Sequence, residues 1–88
     1  MLEFNVKYDP RTDVLYISTD RNGPAYAREG DDGIIWRYLE TDHSLVGVTV
    51  MDFDAYWKSH MADLVSQMSA HFHIPARYAK STLELAHG

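Results

Sequence analysis

Apolar and polar side chains alternate along the first half of the chain. In LEFNVKY, Leu2, Phe4, Val6 and Tyr8 alternate with Glu3, Asn5 and Lys7, the period-two signature of a strand with one wet face. DPRTD follows, where Pro10 presets the φ of a type I turn and Asp9 is able to accept from amides two residues on. VLYIS (14–18) is a second strand, rich in β-branched and aromatic side chains. TDRNGP (19–24) breaks the pattern, AYARE (25–29) makes a thinner third strand, and GDDG (30–33) is a hairpin turn. IIWRYLE, the turn TDHS and LVGVTVM (45–51) complete a set of five strands. Every connection is short, and tight hairpins join only antiparallel strands. A β-meander is the simplest topology.

The period then changes. From Asp52 or Asp54, either of them a good N-cap, Trp57, Met61, Leu64, Val65, Met68 and Phe72 fall at helical spacing. The spacing predicts a helix over 54–72, inside a helical segment 53–73, that stops before Pro75. Residues 74–88 read as a short helical turn or a flexible tail. The expected fold class is α+β: a five-stranded antiparallel β-meander with one C-terminal amphipathic helix packed on one sheet face. The expected organisation is a single domain, 1–88, with the sheet in 1–52.

Register follows from keeping charges out of the core. If Leu39 faces Leu45, then Ile34, Trp36, Tyr38, Val46, Val48 and Val50 share a face. If Asp13 faces Tyr8, then Phe4, Val6, Leu15 and Ile17 share one. These ten side chains are the expected core, under the Trp57–Phe72 stripe. Five strands make a sheet about 24 Å wide and about 20 Å tall. A helix of that length is about 27 Å long and about 10 Å broad, so it covers about half of one face. The opposite face keeps Val14, Tyr16, Ile35, Leu39 and Leu45, which are the expected interface of a homodimer formed through sheet faces or a swapped helix.

Charge and composition narrow the partners. The 88 residues carry a formal charge of -5, with 5 basic and 11 acidic side chains in residues 1–54 but 3 and 2 in 55–88. No basic stripe is present to neutralise phosphates, so nucleic acid is not an expected ligand; an acidic surface favours a basic protein partner, and it is also the usual solubility margin of a small protein. The chain has no cysteine, no signal-peptide pattern and no apolar run near the ~20 residues that span a bilayer. A cytoplasmic location is the corresponding expectation, with no membrane contact.

Tyr8-Asp9, Asp13, Leu15-Tyr16-Ile17, the glycine-bounded turn and LVGVTVMDF together resemble DUF family 2283, small bacterial proteins grouped as a domain of unknown function. The shared pattern, Y-D-x-x-x-D-x-L-Y-I and then (I/V)-x-G-(I/V)-(E/T)-(I/V)-x-(D/N), covers about residues 6–54. The resemblance implies a β-meander with a C-terminal element and no established activity. It also implies antitoxin-like partners, because genes of such proteins sometimes sit beside small toxin-like proteins.

Candidate chemistry is thin. In a meander the turns holding Asp9, Asp13, Asp31 and Asp32, and the junction holding Asp52 and Asp54, all lie at one end. That rim offers oxygen ligands for Ca²⁺ or Mg²⁺, so a divalent-metal-dependent binder or enzyme is the alternative reading. Each aspartate also has a local task in a turn or cap, and no dense D-x-D-x-D-G loop occurs. His60 and His71, eleven residues apart on one helix and so about 16 Å along its axis, are unable to share one ion, and the histidines are read as solvated. There is no G-x-S-x-G elbow and no phosphate-cradling glycine loop. No catalytic residue and no cofactor is expected.

Overall fold

All five strands form in the computed structural model, which describes residues 3–30 and 32–86. They are β1 (Asn5–Asp9), β2 (Val14–Ser18), β3 (Ala25–Glu29), β4 (Ile35–Leu39) and β5 (Leu45–Met51). A short 3-10 helix (Trp57–His60), α1 (Met61–Phe72) and α2 (Ala76–Leu83) follow. The class is α+β, with every neighbouring strand pair antiparallel.

The strand order is β1-β2-β5-β4-β3, so the sheet departs from a strict meander at one place: β2 lies beside β5, not β3. Strand composition explains the exchange. LVGVTVM is buried at Val46, Gly47, Val48 and Val50, whereas AYARE is exposed at every residue but Tyr26. A central strand is flanked on both edges, so the most apolar strand gains most there and the thinnest loses least at the rim. Thr19–Pro24 therefore crosses three strand spacings, about 14 Å, which six residues with a reach of about 20 Å span easily.

The main core joins Leu15, Ile17, Ile34, Trp36, Val48 and Val50 of one sheet face to Phe53, Trp57, Leu64, Met68, Phe72, Ala79 and Leu83. The helical stripe read from the sequence is all there: Trp57, Leu64, Met68 and Phe72 are buried, and Met61 and Val65 pack half-buried against them. Side-chain polarity put β1 and β2 on the correct faces, although Val6 pairs with Ile17 and Tyr8 with Leu15, two residues from the expected register. A slip of two preserves every face.

The β4–β5 pair behaves differently. Trp36 pairs with Val48 and Arg37 with Gly47, but Tyr38 pairs with Leu45, leaving Val46 as a bulge residue. Beyond the bulge the remaining β5 side chain, Leu45, changes face. Leu45 packs against the main core and so leaves the outer face on which strict alternation put it. Val46, expected in the main core, is buried beside Leu39 at one end of the outer face, where Arg21, Asn22 and Gly23 line the same cleft.

Two helices, not one, cover the inner face. α1 ends at His73, which adopts the left-handed conformation (φ 57°, ψ 48°) and donates its amide to the Ser69 carbonyl. Pro75 lacks only an N–H that a helix start leaves unused, and its carbonyl accepts from Tyr78 and Ala79 at 3.0 and 3.1 Å. α2 buries Ala79, Thr82 and Leu83, the Thr82 hydroxyl donating to the Tyr78 carbonyl at 3.0 Å. Phe4 of the N-terminal segment meets Phe72 edge-on (4.9 Å) and Tyr78 (5.8 Å). The stretch from 76 is thus a packed helix, and 87–88 lie outside the described residues.

Candidate interaction face

Both helices pack on one side of the sheet, so the other side is the place to look for a site. Ladder partners put Lys7, Tyr16, Thr49, Ile35 and Glu29 in one row across it, with Val14 beside Met51 in the next. Tyr16 is 44% exposed and Met51 42%, and Val14 and Ile35 are half-buried. From Met51 the apolar surface runs on to a cleft of about 310 Å³ lined by Asp32, Gly33, Asp52, Tyr56 and Trp57. Of the five expected interface residues, the structure keeps Val14, Tyr16 and Ile35 accessible on this face. Leu39 is on it but 4% exposed, and Leu45 is on the other side.

The remaining outer surface is closed locally. Gly47 lets the Arg37 guanidinium lie across β5, since a Cβ there would sit 3.4 Å from Nη2. Arg21 clamps the Thr19–Pro24 loop to the β4–β5 turn, donating to Asp42 Oδ2 and Ser44 Oγ at 2.9 Å each. The Ser44 side chain and amide, then Arg21, hold the Asp42 carboxyl well below the usual carboxylate range.

The aspartates gather at one end of the sheet, and they are occupied. Asp13 adopts a left-handed backbone (φ 58°), which the hairpin turn requires. Its carboxylate accepts from the Tyr8 hydroxyl at 2.6 Å and from the Asp54 and Ala55 amides at 2.7 and 3.1 Å. Its carbonyl accepts from the Phe53 amide at 3.1 Å. One side chain thus ties the first hairpin to the exit of β5, 41 residues on. The Tyr8 hydroxyl, then the Asp54 amide, hold the Asp13 carboxyl below the ordinary aspartate value, and the same bond pushes Tyr8 up to about 12.

The capping expected of Asp52 and Asp54 is taken over by this arrangement. Neither the 3-10 helix nor α1 has a side-chain cap; Asp52 takes a turn conformation (φ 56°), and Asp54 pairs with Lys58 at 3.2 Å. Asp9 accepts from the Arg11 amide at 3.0 Å, and Asp32 from Gln67 Nε2 at 3.2 Å. Asp31 lies outside the described residues. Among the described residues, no three His, Asp or Glu side chains are grouped so that they could hold a metal ion.

Two histidines stack on aromatic rings, His60 remaining exposed as expected and His71 half-buried. His71 stacks on Trp36 (3.8 Å, 9°) and His60 on Tyr56 (3.9 Å, 7°). Because a carbonyl only accepts, each Nδ1 is the donor in its bond, to Gln67 O and to Tyr56 O respectively. The Trp36–His71 stack joins β4 to α1, a relation that one-dimensional spacing does not carry, whereas Tyr56 and His60 are an i, i+4 pair.

The sheet, its two same-side helices and its bare outer face define a small α+β protein built around an open antiparallel layer. The chain belongs to the family described as Protein of unknown function (DUF2283), whose model matches residues 5–53. The match takes in the sheet and stops at Phe53, before either helix. No curated protein and no solved structure matches the chain.

Proposed function

We propose that the chain is a homodimeric protein-interaction module whose outer sheet face docks a basic partner protein, in the manner of an antitoxin. The observation that carries this reading is the exposure of Tyr16 on β2 and Met51 at the end of β5, 44% and 42%, on the sheet face opposite the helices. Tyrosine and methionine are typical of interface centres, large and adaptable respectively. The surrounding charge favours a cationic partner, since residues 1–54 hold 11 acidic and 5 basic side chains. The metal-dependent alternative draws no support, because Asp13 of its rim already accepts three hydrogen bonds.

The test is co-expression with the product of each neighbouring gene, followed by light scattering on any complex that elutes. The expected result is a heterocomplex that weakens with added salt and is lost in Tyr16→Asp/Met51→Asp, with circular dichroism unchanged. A complex that withstands the double substitution refutes the assignment of the face.

A further inference from the structure

The rim strand β3 carries a second surface. Gly30 donates to the Ile34 carbonyl at 2.7 Å, and Glu40 donates to the Pro24 carbonyl at 2.9 Å, one bond at each end of the β3–β4 ladder. Hydrogen-bonded residues alternate along an antiparallel pair, so Tyr26 and Arg28 share that phase. The amides and carbonyls of Ala25, Ala27 and Glu29 therefore point away from β4, along the free edge. These three residues are exposed, and β3 lies at the end of the strand order.

Edges of this kind are normally blunted by a lysine, an internal proline or a bulge. β3 has no lysine, internal proline or bulge, its only charges are the opposite pair Arg28 and Glu29, and its five residues pair with β4 in unbroken register. The opposite edge, β1, is protected: its central residue is Lys7, so a symmetric β1–β1 pair would set two ammonium groups against each other.

We infer that β3 pairs antiparallel with β3 of a second copy, about a two-fold axis at Ala27, to make one continuous sheet. This deepens the homodimer reading and rests on it. The register is fixed by the free groups. Centred on Ala27, all three outward residues find partners, Ala27 with its own copy and Ala25 with Glu29, in six hydrogen bonds; a shift by two loses a pair. The same register sets Arg28 beside Tyr26 of the other chain. Tyr26 already stacks on Tyr38 with its centroid at 5.6 Å, so its opposite ring face is the one presented to that guanidinium. Arg28 and Glu29 cancel, leaving this edge neutral on a chain of net charge -5. A second copy is therefore met without repulsion at the seam.

The absence of cysteine gives a direct test. Residues in a hydrogen-bonded antiparallel pair have Cα atoms about 5.5 Å apart, within disulfide reach. Ala27→Cys should oxidise quantitatively to a covalent dimer, while Lys7→Cys should not. Ala27→Pro removes a donor that the monomer does not use, and proline is tolerated where an edge N–H faces solvent. Light scattering should read twice 10.1 kDa for the parent chain and 10.1 kDa for Ala27→Pro. A parent that stays monomeric at every concentration overturns both the homodimer and this seam. A dimer that survives Ala27→Pro and leaves Ala27→Cys uncrosslinked overturns the seam alone.

Discussion

Leu83→Ala is the sharpest test of the architecture, because it asks whether α2 is part of the core. Leu83 is 1% exposed against the sheet-side cluster, and Leu85, two residues on, is 58% exposed. Truncation to alanine removes three carbons, about 2.4 kcal/mol at ~0.8 kcal/mol each. The cavity left behind raises the cost into the range of about 2–5 kcal/mol measured for such sites. About 3 kcal/mol is the working figure, because a two-turn helix at the margin of the core is able to settle partly into the gap. A chain of 88 residues has a total stability of about 4–13 kcal/mol at ~0.05–0.15 kcal/mol per residue. The substitution therefore removes a quarter or more of it. The melting temperature should fall by about 12–24 °C, at ~4–8 °C per kcal/mol for a domain of this size. The urea midpoint should fall by about 2 M with the slope unchanged. Leu85→Ala is the control and should stay within about 0.5 kcal/mol of the parent. If the two substitutions cost the same small amount, residues 76–83 do not pack on the sheet, and half of the inner face is open.

Two smaller effects follow from backbone and charge. His73 holds a left-handed conformation at the end of α1, which costs an L-residue about 1–2 kcal/mol and glycine nothing; after glycine's extra chain entropy, His73→Gly should gain about 0.5–1 kcal/mol, read as a rise of a few degrees in thermal melting. Asp13 has a folded-state pKa below its unfolded value near ~3.9. Its contribution is therefore complete above that value and is lost as pH falls through the lower folded pKa. Urea midpoints of the parent should drop more steeply than those of Asp13→Asn as pH falls below about 4; parallel acid limbs would remove Asp13 as the tie between hairpin and helix.

Faces were easier to read in this sequence than neighbours. Alternation in β1 and β2 survives a register shift of two, so Val6, Leu15 and Ile17 point inward whichever partner each finds. A bulge is the event that alternation does not encode. At Val46 it changes the side of Leu45, and the one signal for it is Gly47 beside it, since a glycine inside a strand often marks a bulge. Strand order was partly legible: AYARE is visibly the weakest strand, and a weak strand belongs at the rim, which is incompatible with the central place a strict meander gives it. α2 was hidden by its brevity, since Ala79 and Leu83 are one i, i+4 pair and define no stripe. The Asp13 clasp was hidden because its donors lie 41 and 42 residues away. Its aspartate looked like any other turn residue.

The two surfaces proposed for this chain have a size relation that neither has alone. Five strands at ~4.8 Å and five residues at ~3.4 Å give the outer face an extent of about 24 by 17 Å, or about 400 Å². The Thr19–Pro24 loop already covers one end of it, over Leu39 and Val46. A stable protein complex buries about 800 Å² on each partner, so one face offers about half of what a docked protein needs. Pairing across β3 lays two outer faces edge to edge, with Ala25 and Ala27 as a flat seam between them, and the joined surface comes close to that figure. The seam and the docking face are thus expected to act together. A single partner molecule would lie across two chains, and in the co-expression experiment the complex should have the mass of two chains to one partner. A complex of one chain with one partner would mean that the outer face suffices by itself, and that the β3 edge has some other use.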